Sequence, residues 1–166
     1  AEIMTHLREG RNVALVSDAG TPVFSDPGRL LVRQAIDAGI SIIPVPGASS
    51  LLPALTVTGF PLDSFVFCGF LSPKSDRRRA ELRALRTESR TMVLMDTPYR
   101  LTALLEDVAN ILGAQRRVCV AFNLTMPDEL VLRGTASELS ASAADRRLKG
   151  EFVLVVGPPD RPVSRG

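Results

Sequence analysis

From Val16 to Gly28 the chain reads Val-Ser-Asp-Ala-Gly-Thr-Pro-Val-Phe-Ser-Asp-Pro-Gly. Small residues and two prolines directly after the apolar run Val13 to Val16 describe a loop at the carboxyl end of a strand, where open α/β sheets line a ligand crevice. Ala19 and Gly20 carry too little side chain to keep a ligand away from the backbone N–H groups. The same spacing also suits an ordinary βα turn. Two further words carry charge. Asp96-Thr97-Pro98-Tyr99-Arg100 sets an acid and a cation around a helix start. Lys74, Arg77, Arg78, Arg79, Arg83 and Arg86 crowd one helix, either to grip phosphates or as a solvated face balanced in part by Glu81 and Glu88. His6 is the single histidine and sits on a surface helix, unsuited to general-base work. No spacing of His, Cys, Asp or Glu suits a metal.

The first of these words is followed, in order, by Val45-Pro46-Gly47-Ala48-Ser49-Ser50, Thr58-Gly59-Phe60-Pro61, Gly69-Phe70-Leu71 and Lys149-Gly150-Glu151-Phe152. So ordered, the chain resembles the tetrapyrrole methylase superfamily over nearly all of Ala1 to Pro158, and within it the branch that methylates small-subunit ribosomal RNA. The resemblance implies S-adenosylmethionine as cofactor, 2′-O-methylation of a cytidine ribose in 16S ribosomal RNA, the small ribosomal subunit or its RNA as partner, and a homodimer. It implies cofactor contacts at Asp18, Ala19, Gly20, Thr21, Ser49, Ser50, Met95 and Gly150, in a cleft where strand ends converge. Members of the superfamily begin with a strand and a glycine-containing loop; this chain opens inside a helix, which implies a truncated member or a fragment.

Three departures bear on function. Thr21 stands where many relatives carry Asp; Asp96 to Arg100 replaces Glu-Ser-Pro-His-Arg; and Ala121-Phe122-Asn123-Leu124-Thr125 replaces Ala-Arg-Glu-Leu-Thr. The last exchange removes a charged pair and weakens the case for an RNA acceptor. A weakly acidic ribose hydroxyl benefits from a proton acceptor as it attacks, and Asp96 is the candidate, with Lys149 as competitor. Arg78, Arg79, Arg83 and Arg100 are the candidate RNA contacts. Two other readings compete: the same cofactor with a tetrapyrrole or another small-molecule acceptor, and a non-catalytic truncated paralogue.

These residues need a scaffold. The pattern predicts an α/β chain of two lobes, with a mostly parallel sheet in the first and a mixed sheet in the second. Residues 1–62 are read as the later part of the first lobe, 63–158 as the second and 159–166 as a tail. In the first lobe a helix ends at Gly10, strands follow at Val13 to Val16 and Ile40 to Val45, a helix opened by Asp26 and Pro27 joins them, and Ser49 and Ser50 cap another running to about Val57. In the second, strands Ser64 to Phe70, Thr91 to Met95, Arg117 to Phe122, Glu129 to Arg133 and Glu151 to Val156 alternate with helices Asp76 to Thr87 and Pro98 to Leu112. A third helix opens on the capping box Thr135-Ala136-Ser137-Glu138. An apolar content of 45% suits a globular protein, and a net charge of +2 from 20 basic and 18 acidic residues excludes a bulk polycation, so any nucleic-acid footprint is local. Cys68 and Cys119 are expected as buried free thiols, and the absence of any long apolar run implies a cytoplasmic protein outside the membrane.

Overall fold

The computed structural model describes residues 2–18 and 20–159. Ala19 and the residues of the expected tail from Asp160 onward lie outside the described residues. The chain divides into two compact units, Ala1–Ser49 and Ser50–Gly166.

In the first unit, helix α1 (Glu2–Arg8) ends as expected at Gly10, whose φ is +81°. It contacts α2 (Arg29–Asp37), and Met4 and Ala35 are buried. Asp26 and Pro27 do not open α2. Gly28 holds the N-cap position and its carbonyl accepts from Val32 N–H, so the helix starts later than the Asp-Pro step predicts.

The two strands expected in this unit, and with them its parallel sheet, are not formed among the described residues. Val13 to Val16 and Ile40 to Val45 carry no ladder, and Val16, Ile43 and Val45 are 80%, 81% and 81% exposed. An apolar run becomes a strand only when a neighbouring chain takes its N–H and C=O groups, and no described segment does so here.

The second unit is a five-stranded sheet in the order β1 (Phe65–Phe70), β2 (Thr91–Asp96), β5 (Phe152–Val156), β3 (Arg117–Phe122), β4 (Leu130–Thr135). β1 and β2 run parallel through the crossover helix α4 (Ser75–Ala84); every other pair is antiparallel. This is the mixed sheet expected for the second lobe. β2, β3 and β5 read as continuous apolar runs because helices cover both faces, so period-2 alternation is not required of them. On one face Met92, Leu94, Val118, Val120, Leu154 and Val156 pack against α5 (Leu101–Leu112), α6 (Ala136–Arg146) and Leu82 of α4. On the other, Val93, Cys119, Ala121, Val153 and Val155 pack against Ala54 and Leu55 of α3 (Leu51–Thr56). That contact carries α3 into the second unit, so the division falls after Ser49 rather than at the expected residue 62. The stretch expected as a linker is also fastened: Thr91 Oγ1 donates to Pro61 O at 2.7 Å, and Phe60 packs in the second core.

Cys68 and Cys119 are free, and burial pushes both thiols up from their ordinary range. The capping box is present in full. Glu138 N–H donates to Thr135 Oγ1 at 3.2 Å, and Thr135 N–H donates to a Glu138 carboxylate oxygen at 2.8 Å. That bond holds the Glu138 carboxyl below its ordinary value. A carboxyl depressed on folding adds stability above its unfolded pKa and loses it as pH falls through the folded one. Thr135→Ala is expected to lower stability by about 1 kcal/mol through the lost cap, whereas the loss in Glu138→Gln should shrink on acidification, both measured by urea unfolding at neutral pH and near pH 3.

Candidate functional site

In the first unit, the loop after Val16 is a curl built on four left-handed residues, Gly20, Val23, Ser25 and Gly28, with φ of +73°, +72°, +60° and +131°. A β-branched residue at positive φ is a real outlier, and Val23 and Ser25 each store on the order of 1–3 kcal/mol of strain, the kind that collects at ligand-binding loops. The curl is tied to the second glycine-containing loop: Thr21 Oγ1 donates to Ala48 O at 3.2 Å, and Ser17 Oγ donates to Gly20 O at 3.1 Å. At Gly20 a Cβ would sit 3.7 Å from Ala48 O, so a side chain here would fill the space where the two loops meet. Asp18, Gly20, Thr21, Ser49 and Ser50 are exposed, and the Ser50 hydroxyl makes no capping bond although Ser50 is the N-cap of α3.

In the second unit, register brings three strand ends to one row. Asp96 pairs with Phe152 and Phe152 with Phe122; Met95, Val153 and Ala121 form the row beneath. Beyond this row Asn123, at φ +45°, donates its N–H to Glu151 O at 2.8 Å and its side-chain nitrogen to Asp128 at 2.7 Å. A Cβ on Gly150 would meet the Phe122 ring at 2.6 Å and the Asn123 amide nitrogen at 2.7 Å, so only glycine lets the Asn123 amide lie there. Lys149, next to it, is exposed.

Asp96 is not the open carboxylate that a strand-end position suggests. Its side chain is 0% exposed, one oxygen accepts from Thr97 N–H at 2.6 Å and pairs with Arg100, and the other oxygen is buried with no hydrogen-bond partner. Arg100 is itself 22% exposed, with Nε buried and unpaired. An orphaned carboxylate oxygen is costly, about 1–3 kcal/mol or more, unless a donor reaches it. Thr97 and Pro98 do not open α5, which starts at Leu101 with Arg100 at its N-cap.

The candidate RNA arginines separate into two kinds. Arg78 is buried: its guanidinium donates from Nε to Asp107 at 2.8 Å and its Nη2 lies 2.7 Å from the same oxygen, with both side chains at most 6% exposed. It is a core residue, not an RNA contact, because it lies four residues before Leu82 on the apolar side of α4. Arg79 takes the other Asp107 oxygen through Nε at 2.8 Å yet stays half exposed, and Arg83 is exposed. Asp107, which fixes this arrangement, escapes a reading by residue type. The one signal was an acid placed three residues after Leu104, on the buried stripe of α5. Among the described residues no group of three or more His, Cys, Asp or Glu is gathered as for a metal, and no helix is long and apolar enough to cross a membrane.

The family model of the Tetrapyrrole (Corrin/Porphyrin) Methylases matches residues 1–140. The chain belongs to this family. Its sequence is 45% identical to a Ribosomal RNA small subunit methyltransferase I of Synechocystis sp., over 97% of the chain and 59% of that protein. It is 47% identical to one from Xylella fastidiosa, over 93% of the chain and 57% of the relative. The chain thus spans less than two thirds of the length of these relatives. In fold the chain is similar to the methyltransferase CobJ, with a TM-score of 0.66, 22% identity and coverage of 98% and 72%. It is also similar to a uroporphyrin-III C-methyltransferase from Thermus thermophilus complexed with S-adenosyl homocysteine, with a TM-score of 0.55, 16% identity and coverage of 83% and 62%. Within the first unit, the exposed small residues and left-handed backbone of the loop from Gly20 to Gly28 leave room for a compact polar ligand against its N–H groups.

Proposed function

We propose that this protein is an S-adenosylmethionine-dependent methyltransferase that methylates a ribose 2′-hydroxyl, of a cytidine, in 16S ribosomal RNA. The observation that carries the reading is sequence identity above 40% to proteins named Ribosomal RNA small subunit methyltransferase I, over more than nine tenths of the chain. The test is transfer of a labelled methyl group from the cofactor to purified small ribosomal subunits by the full-length protein. Label appearing only in an added tetrapyrrole would favour the second reading, which Phe122 and Asn123 support because they stand where the ribosomal RNA branch carries Arg-Glu. Absence of cofactor binding would leave the non-catalytic reading. An RNA acceptor implies a cytoplasmic protein, and the family resemblance implies a homodimer, checked by sedimentation.

When bound, the cofactor supplies an electrophilic methyl on a sulfonium that is already a good leaving group, so catalysis is mostly orientation. Gly20, Thr21 and Ser49, with Asp18 and Ala19, are proposed to hold it through backbone and hydroxyl groups; Ser50, Met95 and Gly150 are proposed contacts by the family pattern. Asp96 is proposed to take the acceptor proton through its unpaired oxygen once Arg100 turns outward to a phosphate. Lys149 is the alternative base.

Gly20→Val is expected to raise the cofactor Kd at least tenfold by filling the meeting point of the two loops. Calorimetric titration measures it, with circular dichroism to show that the fold is retained. Positive φ adds about 1–2 kcal/mol of strain for Val, so the unfolding midpoint should drop as well. Unchanged affinity in a folded Gly20→Val protein would remove this loop from the site.

A further inference from the structure

Between α4 and α5 lies an open groove of about 540 Å³ lined by Arg79, Arg83, Arg86, Asp107, Asn110 and Ile111. We propose that this groove grips the phosphodiester backbone of single-stranded RNA, a contact that rests on the ribosomal RNA reading and gives it a surface away from the reacting atoms.

Charge is the first argument. The three arginines that line the groove, Arg79, Arg83 and Arg86, meet one carboxylate there, and Asp107 is shared between Arg79 and the buried Arg78. The acids that a sequence reading would set against the run are spent elsewhere. Glu88 is held by Arg90 through two bonds of 2.8 and 2.7 Å, and Glu81 accepts from Ser72 N–H at 2.7 Å. Asp76 also acts on Arg79, which Asp107 already holds. Arg83 and Arg86 make no side-chain hydrogen bond or ion pair within the described residues, and both are exposed. Arg83 and Arg86, without a counter-charge, and Arg79, which shares Asp107 with Arg78, stand side by side on a chain of net charge only +2 and repel one another unless an anion joins them.

Geometry is the second. Arg79, Arg83 and Arg86 stand at i, i+4 and i+7, one face of the helix and the turn that follows it. At 1.5 Å per residue they span about 10 Å, the length of roughly three stacked nucleotides at 3.4 Å each. Arg79 is not a free tether, because its Nε is fixed on Asp107, which leaves its terminal nitrogens for the groove. Guanidiniums held this way give bidentate grips on phosphate oxygens. Asn110 adds a neutral amide that can meet a 2′-hydroxyl or a base edge, and Ile111 an apolar floor for a ribose.

The experiment is titration of a fluorescent single-stranded RNA dodecamer with the chain and with Arg83→Ala/Arg86→Ala, from about 50 to 200 mM salt. The control is Lys74→Ala/Arg77→Ala, which removes the same charge from the exposed N-cap and first turn of α4, outside the groove. The groove variant is expected to bind about tenfold more weakly at low salt, with the slope of log affinity against log salt reduced by about 1.4, or 0.7 for each lost contact. The control should change it by less than half as much. Equal losses in both variants, an unchanged slope in the groove variant, or no RNA binding by the parent chain would each overturn the proposal. Methylation of small subunits by the full-length groove variant, saturating at higher subunit concentration, reports on the enzymatic reading separately. That activity can persist while the groove proposal fails.

Discussion

Asp107→Ala is expected to lower the unfolding free energy of the chain by about 3–5 kcal/mol, the largest effect on stability of any single polar substitution considered for it. The reason is electrostatic. Arg78 is 6% exposed and makes its side-chain bonds to one Asp107 oxygen, so removing the carboxylate leaves a guanidinium in the core without a counter-ion or an acceptor. Urea unfolding measures the loss. The converse variant is equally informative: Arg78→Met with Asp107→Leu replaces the pair by apolar groups of similar size and should restore most of the stability, since neither charge is then left stranded. A loss below about 1 kcal/mol in Asp107→Ala would mean that water reaches Arg78 and that the pair behaves as a surface bridge. Arg79 also loses its anchor in that variant, so RNA affinity should fall with stability, whereas the groove variant loses affinity alone.

The same residues show what a sequence can and cannot disclose. The second sheet was legible because its information is local: apolar runs bounded by turn residues gave β2, β3 and β5, and Thr135 with Glu138 spelled out the start of α6. The parallel sheet of the first unit was not, because Val13 to Val16 and Ile40 to Val45 satisfy the strand pattern without a described partner to complete a ladder. Helix starts failed where Pro was weighed above context, at Asp26-Pro27 and Thr97-Pro98; glycine at positive φ and an arginine N-cap took those positions instead. Arg78 was grouped with Arg79 and Arg83 by residue type, yet helical spacing already separates it, four positions before Leu82. Asp107 was invisible for a different reason. Its partners lie 28 and 29 residues earlier, and an acid on an amphipathic helix ordinarily faces water.

Asp96→Asn, in the full-length protein, is expected to keep cofactor affinity and to lose on the order of a hundredfold or more in turnover on small ribosomal subunits. The substitution is nearly isosteric. A carboxamide oxygen can still accept from Thr97 N–H and face Arg100, so the start of α5 is preserved. What changes is the second position, where an oxygen with no donor becomes an NH₂ group that cannot take a proton. The Asp96 side chain is wholly covered, so this role requires Arg100, its partly buried neighbour, to move. A phosphate next to the acceptor ribose supplies the attraction that would draw the guanidinium outward. Arg100→Ala therefore separates two functions: it should raise the KM for the subunit, while kcat at saturation falls less than in Asp96→Asn. Near-normal turnover in Asp96→Asn would make Asp96 the residue that holds Arg100 and the entry to α5, and Lys149→Met would then become the deciding variant. If that protein too turns over normally, methyl transfer here depends on the alignment of cofactor and hydroxyl alone, which well-oriented reactants can supply as about 7–11 kcal/mol of the barrier.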